Sequence, residues 1–247
     1  MGQDIFGKFL EKVGSVPGIR IDRDSFLRTT FGRSHRKELD RIIMQGPIAA
    51  GIPLNEISEI ANQSITKEAL EVTAVSAGTG VLGGAAALIA VPADIVQFYG
   101  HQFRMIQKLM YLYGWDEDVF DQNGYMDDAT TNMLILYMGV MFGVGAAGKA
   151  LGHIAKVAAK RLIRDVPARL IKAAVTKQAF RKTLMHIVKI IGAKTSLKVT
   201  LVTGAKIVPV FGAVVSGGLT AIFFIPMSKK LKKYLEKGEL SKEADDL

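Results

Sequence analysis

Five polar residues in one short stretch are the part of this sequence best suited to chemistry. They are Asp94, Gln97, His101, Arg104 and Gln107. The first three are spaced i, i+3 and i+7, so on one helix their side chains face the same way. A carboxylate beside an imidazole could act as a general base, which makes this set our candidate polar site. The alternative interpretation is structural, with Asp94 capping a helix and the others satisfying buried polar groups.

No catalytic or metal-binding motif accompanies this set. The sequence lacks a nucleophile elbow, a phosphate-binding loop and a zinc signature. An acidic stretch around Gly124 does not match a calcium loop, because Val119 and Thr130 would stand at ligand positions. The histidines are scattered, with no i, i+4 pair, at His35, His101, His153 and His186. We therefore assign no catalytic residue, metal or cofactor, and favour a non-enzymatic function.

The candidate site belongs to a predicted helical hairpin over residues 67–115. Its first arm contains Val72–Ala93, 22 residues without a charge and rich in glycine. The second arm has the spacing of an amphipathic helix, with Pro92 in its first turn and Gly114 at its end. Thr66 is a plausible N-cap for the first arm. The chain is expected to fold back at Val91–Pro92.

Two more uncharged runs repeat this organisation, Ala129–Gly148 with 20 residues and Ile207–Ser228 with 22. Asp127 and Asp128 are suited to cap the helix that holds the first of them. No alternating strand pattern is present. These patterns predict an all-α protein, a single helical bundle of glycine-rich apolar hairpins (67–115, 126–165 and 198–235) and basic amphipathic helices. A helical lead-in (1–66) would precede the core (67–235), and a flexible tail (236–247) would follow it.

Composition restricts the class further. Hydrophobic residues make up 49% of the chain, and the mean hydropathy of +0.24 is high for a soluble protein but low for a polytopic membrane protein. The absence of cysteine excludes disulfides and thiolate metal sites. Residues 1–15 lack the pattern of a signal peptide, which predicts a cytoplasmic protein. The net charge of +9 is concentrated, because residues 149–198 carry +12 and the remainder −3.

Several sequence words resemble one bacterial family. They are Pro92-Ala93-Asp94, Gln97-Phe98-Tyr99, the segment 104–109, the segment 111–115 and the segment 206–218. Together they resemble the EcsC family over roughly residues 26–234. The resemblance implies an all-α, membrane-associated or amphitropic bacterial protein without an agreed biochemical activity, and it supplies no catalytic residue.

Membrane association is the function that these observations favour. Each uncharged run has about the 20 residues that cross a hydrocarbon core. Glycines would let helices approach closely, and we single out Gly80, Gly83, Gly84, Gly139, Gly143, Gly212 and Gly217. Basic side chains would contact anionic lipid, and the candidates are Lys149, Lys156, Lys160, Arg161, Arg164, Lys229, Lys230, Lys232 and Lys233. The protein would lie on, or insert a hairpin into, the inner face of the cell membrane.

Other functions stay open at this point. The first alternative is a soluble helical protein with a hydrophobic ligand, lipid ligand or hydrolase-like site around Asp94. Nucleic-acid binding through residues 149–198 is less favoured, because Phe180 is the only aromatic residue there and no recognition motif is present. A membrane-protein partner is compatible with the pattern.

Overall fold

A computed structural model describes residues 18–81, 93–121, 126–159, 185, 186, 189 and 222–238. All regular secondary structure in these ranges is helical, which confirms the predicted all-α class. Six helices follow one another, and residues 222–238 are helical throughout and form what we call the C-terminal segment. The bounds are α1 Arg23–Phe31, α2 Leu39–Gln45, α3 Leu54–Val81, α4 Ala93–Leu112, α5 Asp128–Met141 and α6 Gly145–Ala159.

Helix α3 is longer than the sequence analysis predicted. It covers 28 residues and continues through Thr66, so the expectation of an N-cap at Thr66 is wrong. The Thr66 hydroxyl instead donates to the carbonyl of Asn62, which lets a polar residue sit within a helix without breaking it. The helix has an unbroken buried stripe that crosses residue 66, made of Ile57, Ala61, Ile65, Ala69 and Val72.

Helix α4 is the central helix of the described structure. It packs along α3, as the predicted hairpin requires, and it also contacts α1 and α5. From Tyr99 to Tyr113 all its side chains are buried except that of the half-buried Arg104. The helix ends at Leu112, and Gly114 stops it as predicted, with a φ of 92° that is readily adopted only by glycine. The Trp115 amide donates to the Met110 carbonyl and closes the terminal turn.

The second uncharged run forms two helices rather than one. Asp127 caps α5 as predicted, since its carboxylate accepts from the Thr130 amide at 2.6 Å. Gly143 then ends the run of helical residues with a φ of 72°, and α6 begins at Gly145. Gly143 is exposed, so its prediction as a helix-packing glycine is wrong, whereas Gly139 is buried within α5. Helices α5 and α6 pack against each other.

The N-terminal helix is attached through a buried arginine. Asp22 caps α1 through the Ser25 amide, and Arg23 follows as the first helical residue. The Arg23 guanidinium donates to the carbonyl of Ile43 in the last turn of α2 and to the carbonyl of Trp115 just after α4. Both acceptors lie at helix C-termini, where the aligned peptide dipoles favour a cation. The ends of α2 and α4 therefore meet at Arg23.

The C-terminal segment lies on the helical core through one face. Phe224 and Leu231 are fully buried, and Met227 is nearly so. The Tyr234 hydroxyl lies 3.4 Å from the Gly148 carbonyl, which places the segment beside the start of α6. Within the described ranges, no helix combines the length and the apolar character needed to cross a membrane. The predicted turn of the first hairpin and most of the third hairpin fall outside the described residues.

Candidate functional site

The contact between α3 and α4 contains a buried group of charged side chains. Glu68 of α3 is fully buried and faces three residues of α4, His101, Arg104 and Lys108. Glu71, one turn after Glu68, completes the group. The α4 residues are spaced i, i+3 and i+7 and so share one face of the helix. We call these five residues the Glu68 cluster.

Both carboxylate oxygens of Glu68 accept hydrogen bonds. Oε1 lies 2.6 Å from His101 Nδ1 and 2.6 Å from Arg104 Nε. Oε2 accepts from Lys108 Nζ at 2.5 Å. Arg104 also contacts Glu71 at 3.3 Å and donates to the Gly18 carbonyl. One carboxylate thus receives three donors, two of them permanently charged, which is the charge-assisted arrangement that stabilises buried ions.

The electrostatics of the cluster keep Glu68 ionised. Burial acts to raise the pKa of Glu68, but the His101 hydrogen bond and the charges of Lys108 and Arg104 outweigh it and hold the pKa at about 2. An ionised carboxylate can only accept, so His101 Nδ1 carries the shared hydrogen. The second ring nitrogen, Nε2, is then the basic position of the imidazole.

A carboxylate that orients a histidine is also part of many acid–base sites. Here the same carboxylate also binds Arg104 and Lys108, so it is not dedicated to His101. Among the described residues, the hydrogen-bond partner found for His101 is Glu68, which is not a hydroxyl or thiol nucleophile. The arrangement is therefore suited to hold α3 and α4 in a fixed register more than to move protons.

Glu68, Glu71 and His101 also offer three metal-ligating atoms within 4.8 Å of one another. The fit to a divalent cation is poor, because Arg104 and Lys108 already donate to Glu68. A metal ion at this position would face two fixed positive charges at short range. The two basic side chains thus supply the positive charge that a metal would otherwise bring.

The structure brings together two of the five residues of the candidate polar site. His101 and Arg104 both contact Glu68. Gln107 points elsewhere: its amide donates to the Ile19 carbonyl, and its oxygen accepts from the Ile21 amide. Asp94 lies in the first turn of α4, but its side chain and that of Gln97 are outside the described part of the chain.

Sequence reasoning missed Glu68, Glu71 and Lys108. A usable signal was present, because two acids three residues apart precede the first uncharged run and two bases four residues apart follow it. In an antiparallel hairpin whose arms carry only Asp94 as a further charge between these groups, the two acids and the two bases are well placed to pair across it. The spacing that defines the candidate polar site compares residues of one helix only, so it does not detect pairs between the two arms.

The predicted lipid-contact residues occupy two kinds of position. Lys149, Lys229, Lys230 and Lys233 are exposed. Lys232 is buried, and its ammonium donates to Ser58 and to Glu236, so it is not part of the exposed surface. The remaining predicted lipid contacts fall outside the described residues, namely Lys160, Arg161, Arg164 and the side chain of Lys156. The same holds for four of the predicted packing glycines, Gly83, Gly84, Gly212 and Gly217. Gly80 is described only as a backbone position of α3.

Comparison with protein families, with curated proteins and with solved structures finds no match to this chain. The resemblance to the EcsC family stays a prediction.

Proposed function

We propose that this protein binds anionic membrane surfaces through the outward face of its C-terminal segment. One observation carries the proposal. The exposed side of the segment changes along its length from Ile222 and Phe223, which are 65% and 37% exposed, to Lys229, Lys230 and Lys233. The lysines follow the apolar residues by about two helical turns.

Such a division suits the boundary between water and lipid. Transfer of exposed apolar side chains from water to the junction of headgroups and acyl chains is favourable, and lysine ammonium groups beside them can reach the phosphates. The opposite face of the segment is anchored by Phe224 and Leu231, so the exposed side chains are presented from a fixed helix. The arrangement supports interfacial binding and does not require a membrane-spanning helix.

Neighbouring residues extend the basic surface. Lys230 lies over the turn between α5 and α6, because a Cβ added at Gly143 would come within 3.2 Å of its Nζ. Tyr234 contacts Gly148, and the adjacent Lys149 is exposed. Exposed lysines of the C-terminal segment and of α6 therefore lie near the contact between these two elements. This surface suits the anionic cytoplasmic leaflet of a cell membrane, which is the location we propose.

Co-sedimentation with vesicles tests the proposal. We expect binding to phosphatidylcholine vesicles only when they contain phosphatidylglycerol, and release at high salt because ions screen the attraction. Replacing Lys229, Lys230 and Lys233 with Gln should weaken binding about 100-fold, since each basic residue near the surface contributes roughly 1 kcal/mol.

A matched control removes the same charge elsewhere. Arg33, Arg36 and Lys37 are exposed between α1 and α2, and their replacement with Gln should leave most of the affinity intact. Equal losses in both triple variants would mean that net charge, rather than this surface, drives binding. Binding that ignores the anionic lipid altogether would overturn the proposal.

A further inference from the structure

The Glu68 cluster separates its charges by helix. The acids, Glu68 and Glu71, belong to α3, and the bases, Arg104 and Lys108, belong to α4 together with His101. Separation of the two helices would therefore uncover a basic face on α4 and an acidic face on α3. In the closed contact, neither face is available to a partner, because the side chains that carry it are buried or half-buried against each other.

The hidden face of α4 has the composition of a lipid-binding helix. His101, Arg104 and Lys108 share their stripe with Met105 and Leu112, which follow at the same helical spacing and are fully buried. A stripe that combines basic and apolar side chains is typical of helices that lie in a membrane interface. The three donors that hold one carboxylate are also suited to an oxygen-rich anion such as a phosphate diester.

We propose that Glu68 is an internal substitute for a lipid phosphate, which keeps a second lipid-binding face on α4 closed until an anionic membrane competes for Arg104 and Lys108. This inference rests on the proposed function, since binding through the C-terminal segment would bring the chain to the membrane first. The anion that replaces Glu68 is a lipid phosphate and not free phosphate, because a soluble ion offers no apolar surface for Met105 and Leu112 to pack against.

Mild acid is a poor alternative trigger for opening. The groups that face Glu68 are His101, Arg104 and Lys108 of α4, with Glu71 beside it on α3. They hold the pKa of Glu68 far below neutrality, so its charge persists in weakly acidic solution. A competing anion, by contrast, offers Arg104 and Lys108 an alternative hydrogen-bond acceptor to Glu68.

The decisive experiment compares Glu68→Gln with the wild-type chain on phosphatidylglycerol vesicles. Loss of the internal anion leaves Lys108 without its acceptor and Arg104 held only by Glu71 and the Gly18 carbonyl, so half-saturation should need about 5- to 30-fold less lipid. Adding Lys108→Gln to Glu68→Gln should reverse much of that gain. Glu71→Gln, which removes the same charge from a half-exposed position, should change binding far less.

Destabilisation alone could also expose apolar surface that binds vesicles, and Ile65→Ala controls for this effect. Ile65 is buried one turn before Glu68, so its truncation loosens the same helix with the cluster intact. If Ile65→Ala, matched for melting temperature, improves binding as much as Glu68→Gln does, the inference is overturned. Unchanged binding of Glu68→Gln overturns it as well.

Hydrogen exchange on the wild-type chain gives a measurement that does not depend on any variant folding. Amides around Glu68 and Arg104 should exchange faster on anionic vesicles and stay protected in inorganic phosphate. Binding without this change would contradict the inference and leave the proposed function standing. Binding by Glu68→Gln alone, with none by the wild type, would reject both the proposed function and the inference, because the membrane would then not displace Glu68 in the native chain.

Discussion

Replacement of Glu68 with glutamine should destabilise the fold strongly at neutral pH, and the structure indicates why. Arg104 would keep Glu71 and the Gly18 carbonyl as partners. Lys108 would keep none, because Glu68 is its only acceptor among the described residues. Breaking a buried pair from one side costs about 3–5 kcal/mol, since the remaining charge stays buried. The free energy of unfolding should fall by an amount in that range.

The pH dependence supplies an independent magnitude. The pKa of Glu68 is lowered from 4.5 to about 2, so its ionised form stabilises the fold above the higher value. This contribution, about 3 kcal/mol at 1.36 kcal/mol for each pKa unit, is lost as the pH falls from 4.5 towards 2. The wild type should therefore lose stability in that window, and Glu68→Gln should lack this part of the loss.

Urea unfolding followed by far-UV circular dichroism across this pH range measures both quantities. Glu71→Gln serves as the control, because Glu71 is 37% exposed and its pair with Arg104 should contribute at most about 1 kcal/mol. Combining Glu68→Gln with Lys108→Met should recover stability, since it removes the orphaned charge. Parallel pH curves for wild type and Glu68→Gln, with a cost under about 1 kcal/mol, would refute the buried ion pair.

Two local predictions follow from the α5–α6 region. Asp127→Ala should cost about 1 kcal/mol through loss of the α5 cap, whereas Asp128→Ala should cost less; equal melting temperatures would contradict the capping geometry. Gly143→Ala should lower the free energy of unfolding, measured by chemical denaturation, by about 1–2 kcal/mol because residue 143 has a positive φ. Gly145→Ala is the control and should change it little, because a Cβ at residue 145 would meet open space. An unchanged free energy of unfolding for Gly143→Ala would disprove the left-handed turn.

Local signals in the sequence predicted local structure well. Residue type and position predict Asp127 as a cap and Gly114 as the residue that stops a helix, and the structure places each in that role. Each of these features depends on a few consecutive residues, so no tertiary information is needed to recognise it. The all-α class follows from the same kind of periodicity.

Features that depend on tertiary packing were harder to predict. Thr66 was expected to begin a helix because its hydroxyl suits a cap, but the apolar stripe that crosses it continues and outweighs that preference. Gly143 and Gly139 have similar sequence surroundings, yet one ends a helix and the other is buried inside it. The partner of Arg104 lies 36 residues away on another helix, and spacing along one helix could not identify it.

The attachment of α1 has a consequence for synthesis of the chain. Arg23 needs the Trp115 carbonyl, which is 92 residues further on, as well as that of Ile43. A growing polypeptide can form α1 early, but it cannot complete the Arg23 site until α4 has emerged and folded. Until then the first helix has α2 but not α4 to pack against, so Leu27 and Phe31, which are fully buried in the folded chain, are not yet completely covered. For a protein proposed to bind membranes, this is the interval in which a chaperone or a lipid surface could contact the apolar face of α1.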